Sequence, residues 1–160
     1  MSTAIRNRIR GHRRVRAGDL VPHEWNYRVH PETQKAALQA LYAEVGFARS
    51  LLAYELPDGR LKLIDGHLRR EMEPDLLVDV EVLDVNDDEA RALLLSLDPL
   101  AQLAEYDPPV LNRLRDQTPT ESDTLYNLWQ SIAAGEAVVR AALDEARNKP
   151  SDEFPERYSC

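Results

Sequence analysis

The chain has 160 residues, a formal net charge of −8 and 43% hydrophobic residues, which is enough for one domain with a real core and a small helical appendage. No apolar run reaches the length needed to span a bilayer and no secretory-type stretch opens the sequence, so a soluble, cytoplasmic protein without membrane partners is expected. Cys160 is the sole cysteine, which excludes an internal disulfide and a multi-cysteine zinc site.

The charge is unevenly spread. Arg6, Arg8, Arg10, Arg13, Arg14 and Arg16 fall within the first 18 residues with no acid among them, leaving 14 basic and 28 acidic residues from position 19 onward. Residues 1 to 13 lack apolar periodicity, so residues 1–14 are expected to form a flexible, Arg-rich arm suited to sequence-blind contact with the phosphates of DNA; a merely solvated tail is the plain alternative. The acidic body argues against DNA coating by the rest of the chain.

Val15 to Val21 predicts a short strand. Pro31 then opens a helix, Leu38, Leu41, Tyr42 and Val45 recur at helical spacing, and Gly46 closes it; the stripe predicts a packed, amphipathic helix. Ser50 to Leu56, the turn Pro57-Asp58-Gly59-Arg60 and Leu61 to Ile64 predict a β-hairpin. A short helix from His67 to Glu73 must end before Pro74. Val78, Val80, Val82 and Val85 alternate with acids, as a half-buried strand requires. Asn86 to Glu89 reads as a capping box leading into Ala90, Leu93, Leu94 and Leu97, and Asp107 caps a helix bearing Val110, Leu111 and Leu114. Residues 117–149 are expected to form a helical extension, Ser122 to Ala134 and Glu136 to Lys149, whose apolar stripes bury either on the domain or on a second copy of the chain as a homodimer. Residues 150–160 read as a tail.

The segment Leu61-Lys62-Leu63-Ile64-Asp65-Gly66-His67-Leu68-Arg69-Arg70 carries the chemistry. A strand that ends at a glycine and turns into a helix aims unpaired backbone N–H groups at one spot, and His67 and Arg69 add side-chain donors, a combination suited to phosphate. The plain alternative is an ordinary turn with Arg69 and Arg70 solvated. Of the two arginines, Arg69 is the stronger ligand candidate.

Asp65-Gly66-His67-x-Arg69 after a strand resembles the phosphate-binding signature of the ParB/sulfiredoxin superfamily, in which ParB members carry Gly-Glu-Arg-Arg and kinase-like members Asp-Gly-His-His-Arg. Leu20 to Arg28 resembles the first ParB box, Glu44-Val45-Gly46-Phe47 the step closing the first helix, and Leu97-Asp98-Pro99-Leu100 to Leu114 the segment following the domain in phage and plasmid ParB-like proteins. The resemblance covers about residues 15–116. It implies an α/β (α+β) fold, a small mixed β-sheet flanked by helices, with a helical C-terminal extension.

It further implies binding of a nucleoside triphosphate, CTP or ATP with Mg²⁺, at Asp65, Gly66, His67, Arg69, Arg70 and Arg28. The implied setting is DNA partition, plasmid or phage DNA maintenance, or partnership with a DNA methyltransferase. Nucleotide hydrolysis is left open. The chain departs from ParB in having His67-Leu68-Arg69 where ParB has Glu-Arg-Arg, and Asp98 is the weak metal candidate that remains of the later ParB segment. Sulfiredoxin chemistry is set aside, because His67 stands where that reaction needs a cysteine. Alternatives are a small-molecule kinase with Glu24 as base, a ParB-like nuclease, and a non-catalytic adaptor. His23 and His30 read as surface residues.

Overall fold

The computed structural model describes residues 4–132. The expected helix over 136–149, the tail over 150–160 and the last two residues of the stretch expected to end at Ala134 lie outside the described residues.

Four strands, β1 (Ile9–Arg16), β2 (Leu51–Glu55), β3 (Leu61–Asp65) and β4 (Leu77–Leu83), form a sheet in the order β1-β4-β2-β3. β1 and β4 are antiparallel, as are β2 and β3, while β2 and β4 run parallel, so the sheet is mixed. The helices are α1 (Glu32–Glu44), α2 (His67–Met72), α3 (Asp87–Gln102), α4 (Pro108–Gln117) and α5 (Asp123–Gln130). The chain divides into two units, one through Asp98 and one from Pro99 onward.

Alternation along the strands sorts side chains onto two faces. Val78, Val80 and Val82 of β4 join Leu51, Ala53, Leu61 and Leu63, with Ala17 and Leu20, in one buried cluster. Tyr54, Ile64 and Leu83 form another with Ala90 of α3. Each fully buried Leu or Val contributes roughly 2 kcal/mol. The capping box is made as the sequence predicts: Asn86 N–H donates to Glu89 Oε1 at 3.1 Å and Glu89 N–H to Asn86 Oδ1 at 2.9 Å. α3 continues through Pro99, tolerating the lost donor. In the second unit, Asp107 and Ser122 cap α4 and α5 by accepting from Val110 N–H and Leu125 N–H. No helix among the described residues is long and apolar enough to cross a membrane.

The N-terminal segment departs from expectation. Residues 9–16 are not an arm but β1, and the strand expected over Val15–Val21 is a 3-10 turn at Ala17–Asp19 followed by a single bridge from Val21 to Lys62. β1 supplies the ladder that the open edge of β4 needs, and its arginines meet carboxylates: Arg14 with Asp79 at 3.2 Å, Arg10 and Arg13 with Glu55 at 2.5 and 2.7 Å, Arg16 with Asp75 at 3.2 Å, and Arg8 with Glu89 at 2.5 Å. Exposed pairs of this kind are worth at most about 1 kcal/mol each, so the backbone ladder is the main hold. Apolar periodicity cannot flag such a strand, because its side chains are chosen for charge.

β3 passes into α2 through Gly66, whose φ of 113° lies in the left-handed region. A Cβ there would lie 2.4 Å from Leu51 Cγ and 2.8 Å from Leu51 Cδ2, and Leu51 is fully buried. Gly66→Ala is therefore expected to cost about 2–4 kcal/mol, from backbone strain plus overpacking. Urea unfolding should show a smaller cost in a Leu51→Ala background; an equal cost in both would show that Leu51 is not what excludes the side chain.

Candidate functional site

A cleft of about 550 Å³ opens beside the Gly66 turn, lined by that turn, by α1 and by the loop that precedes α1. The loop is docked in steps. Val21 N–H donates to Leu61 O and Leu63 N–H to Val21 O, both at 2.8 Å, which seats the chain on β3. His23 N–H then donates to His67 Nε2 at 3.0 Å, and Trp25 N–H to His23 Nδ1 at 3.0 Å. Beyond this point residues alternate: Asn26, Arg28 and His30 line the cleft, whereas Trp25, Tyr27 and Val29 are exposed.

Both imidazoles accept a backbone N–H, so both are neutral, with the proton on the other ring nitrogen. Burial, helped by the neighbouring His23 and Arg28, pushes His67 down from 6.5 to about 4. Burial and then the Lys62 charge also lower His23.

One wall of the cleft is ionic. The Asp65 carboxylate, with its side chain 12% exposed, faces Arg69 at 3.3 Å, Arg49 at 3.4 Å and Arg28 at 3.8 Å. Arg28 also pairs with Asp98 at 2.5 Å. Arg69 donates to the carbonyls of Arg49 and Ser50, both at 3.4 Å, so all its bonds are long. Burial lowers its guanidinium from the ordinary value, with Asp65 opposing; an arginine so placed stays charged. The other wall is apolar, built by Leu38, Leu41 and Tyr42 of α1 with Val45 and Phe47 just beyond it. The stripe predicted for packing thus faces the cleft: within α1 only Ala37 is buried, and Leu41 stays 41% exposed. Arg28 Nε and Tyr42 Oη are buried without a hydrogen-bond partner. Ionic and apolar walls together suit a compact anion joined to a flat, less polar body.

Asp65, Gly66, His67, Arg69 and Arg28 are thus brought together on the lining, and Asp98 with them. Four readings need correction. Arg70 turns away, its Nε donating to Leu20 O at 2.7 Å and its Nη2 to Gly18 O at 3.3 Å, because consecutive residues on a helix point about 100° apart. It ties α2 to the 3-10 turn instead of serving a ligand. Glu24 does not line the cleft: its carboxylate lies 2.5 Å from Lys62 Nζ, and that ammonium holds it below the usual carboxylate range, which makes it a poor base. His67 presents Nε2 to the loop as an acceptor rather than as a donor to a ligand, and His23 is buried at 4% exposure rather than lying on the surface.

Arg49 was not foreseen. The hairpin register, with Leu52 opposite Asp65, brings the residues just before β2 beside the Gly66 turn, and that register was the available signal. The six N-terminal arginines lie outside the cleft lining. Arg8, Arg10, Arg13, Arg14 and Arg16 are charge-balanced by their acidic partners, and Arg6 lies outside those pairs. Among the described residues no group of three or more His, Cys, Asp or Glu is disposed to hold a metal ion by itself.

Neither a protein-family model nor a curated protein matches the chain. A solved structure does: the C-terminally truncated chromosome-partitioning protein ParB from Caulobacter crescentus, complexed with CTP-γ-S, superposes with a TM-score of 0.51 at 17% identity, over 89% of this chain and 81% of that one. The fold is ParB-like, a mixed α/β architecture with a four-stranded sheet, as the resemblance in sequence led one to expect.

The His23–His67 bond gives a pH dependence. The unfolded chain takes up a proton at the His67 position near pH 6.5, the folded one only near 4. The stability His67 contributes is therefore complete above pH 6.5 and is lost as pH falls towards 4, by at most about 3 kcal/mol. His67→Gln, which keeps an acceptor but cannot be protonated, is expected to flatten chemical-denaturation midpoints across that window. An unaltered pH profile would assign the acid sensitivity to other groups.

Proposed function

We propose that the cleft binds a nucleoside triphosphate, CTP or ATP, with the phosphates among Arg28, Arg49 and Arg69 beside the Gly66 turn and the nucleoside against the apolar wall of α1. The observation that carries this reading is the convergence of three guanidiniums on Asp65, opposite an apolar wall, in a ParB-like fold. Asp65 holds these arginines only at 3.3 Å or more, so phosphate oxygens can replace it as their partner at small cost. Guanidinium forks match phosphate geometry better than ammonium groups do.

Asp65 and Asp98 offset part of the arginine charge, so Mg²⁺ carried with the nucleotide would add positive charge that the phosphates still need. Such an ion is held by phosphate oxygens, water and one or two carboxylates, and Asp98, half in solvent on the cleft wall, is the residue that would serve it. The ion pair of Glu24 with Lys62 disfavours the kinase reading.

Nucleotide binding of this kind serves DNA partition, plasmid or phage DNA maintenance or DNA modification in our reading, with DNA, a second copy of the chain, and a partition partner or DNA methyltransferase as its partners. The neighbour is itself a chromosome-partitioning protein. DNA contact through β1 requires its arginines to exchange protein carboxylates for DNA phosphates, which makes it weak and salt-labile. Tyr126 and Leu128 on α5, with Val110 and Leu114 on α4, are among the exposed apolar positions that a second copy could cover.

Calorimetric titration of CTP and ATP with Mg²⁺ is expected to show saturable binding by the wild type, at least tenfold weaker in Arg69→Gln and in Arg28→Gln and unchanged in Glu24→Gln. Wild-type protein that is folded and takes neither nucleotide would overturn the reading in favour of an adaptor. Duplex DNA retention is expected to fall steeply as salt rises and to vanish in a combined Arg6→Ser, Arg10→Ser, Arg13→Ser variant; retention indifferent to salt would assign the contact elsewhere.

A further inference from the structure

The cleft holds a polar atom that nothing above employs. Tyr42 lies on α1, lines the cleft, and sets its ring edge-on to Phe47 with centroids 5.8 Å apart. Its hydroxyl is buried and has no hydrogen-bond partner. A buried hydroxyl without a partner is destabilising, and most buried polar groups avoid that state, so a tyrosine whose only task was packing against Phe47 would be served better by phenylalanine.

The position of the oxygen says what it lacks. Tyr42 and Arg69 line the same cleft, and the Arg69 charge opposes the rise that burial imposes on the phenol. The phenol keeps its proton at neutral pH and can donate to an anion without repelling it. Solvent does not reach the oxygen, so a bond from it to a ligand would require the side chains around it to move. Arg69 is suited to that movement, since its three acceptors lie at 3.3–3.4 Å.

Resting on the nucleotide reading of this cleft, we propose that Tyr42 is a ligand-contacting residue whose O–H donates to an anionic oxygen of the bound phosphates beside Arg69. The sequence presents Tyr42 as one more member of an apolar stripe, and only the idle hydroxyl separates it from Leu38 and Leu41.

Tyr42→Phe deletes the single oxygen. The expected result has opposite signs: the ligand-free protein melts at the same or a higher temperature, while affinity for CTP·Mg²⁺ or ATP·Mg²⁺ falls about tenfold, and a similar loss appears with inorganic triphosphate as the probe. Unchanged nucleotide affinity overturns the proposal. So does a loss of affinity accompanied by a lower melting temperature, which would make the hydroxyl a prop for α1, and so does a loss seen with nucleotide but not with inorganic triphosphate. If Arg69→Gln abolishes binding while Tyr42→Phe leaves it intact, the nucleotide reading stands and the Tyr42 assignment fails; if the wild type binds no nucleotide, both fail together.

Discussion

Three guanidiniums cannot share one corner of a protein unless something holds them there, and in this chain that something is the Asp65 carboxylate. Like charges repel, so without that carboxylate Arg28, Arg49 and Arg69 would lose the partner that all three share. Asp65 can do this because it is the last residue of a buried strand and sits almost out of solvent. Its place is fixed in turn by the bend that follows, since Gly66 takes a left-handed conformation into which the Leu51 side chain presses. A packing contact in the core thus determines where positive charge collects at the surface.

The apolar wall follows a parallel logic. A helix with leucines at regular spacing ordinarily hides them, yet α1 leaves Leu41 and Val45 in the open and buries only Ala37. The stripe borders the arginine cluster, so the same helix that would have closed a core instead gives the cleft its second character. The loop before α1 is held against α2 by one amide-to-imidazole bond, and through that bond Arg28 reaches the cluster from the opposite side.

What the sequence disclosed depended on which physical rule governed each element. The β-hairpin, α2, the valine strand β4, the capping box at Asn86 and the Asp107 cap are set by local patterns, and these could be read directly. β1 obeys a different rule: its arginines find acids on β4, on β2 and beyond, and charge complementarity across distant segments leaves no periodic trace. In the site, Gly66, Asp65 and Arg69 were legible from a turn within a few residues. The division of labour between Arg69 and Arg70 follows from helix rotation once the neighbours of α2 are known. Arg49 arrives through strand register, the burial of His23 through a loop closed on itself, and the idle hydroxyl of Tyr42 through a packing detail, none of which a linear pattern records.

The sheet order leaves β1 and β3 at the margins, and the two are protected differently. Val21 lays its backbone along β3 and occupies part of that row of donors and acceptors. β1 ends the sheet on the other side, and its long charged side chains, each held by an acid of the neighbouring segments, crowd the edge that a foreign strand would have to approach. The basic N-terminus that looked like a reaching limb therefore closes one margin of the sheet, and its guanidiniums make that margin a poor template for a further strand.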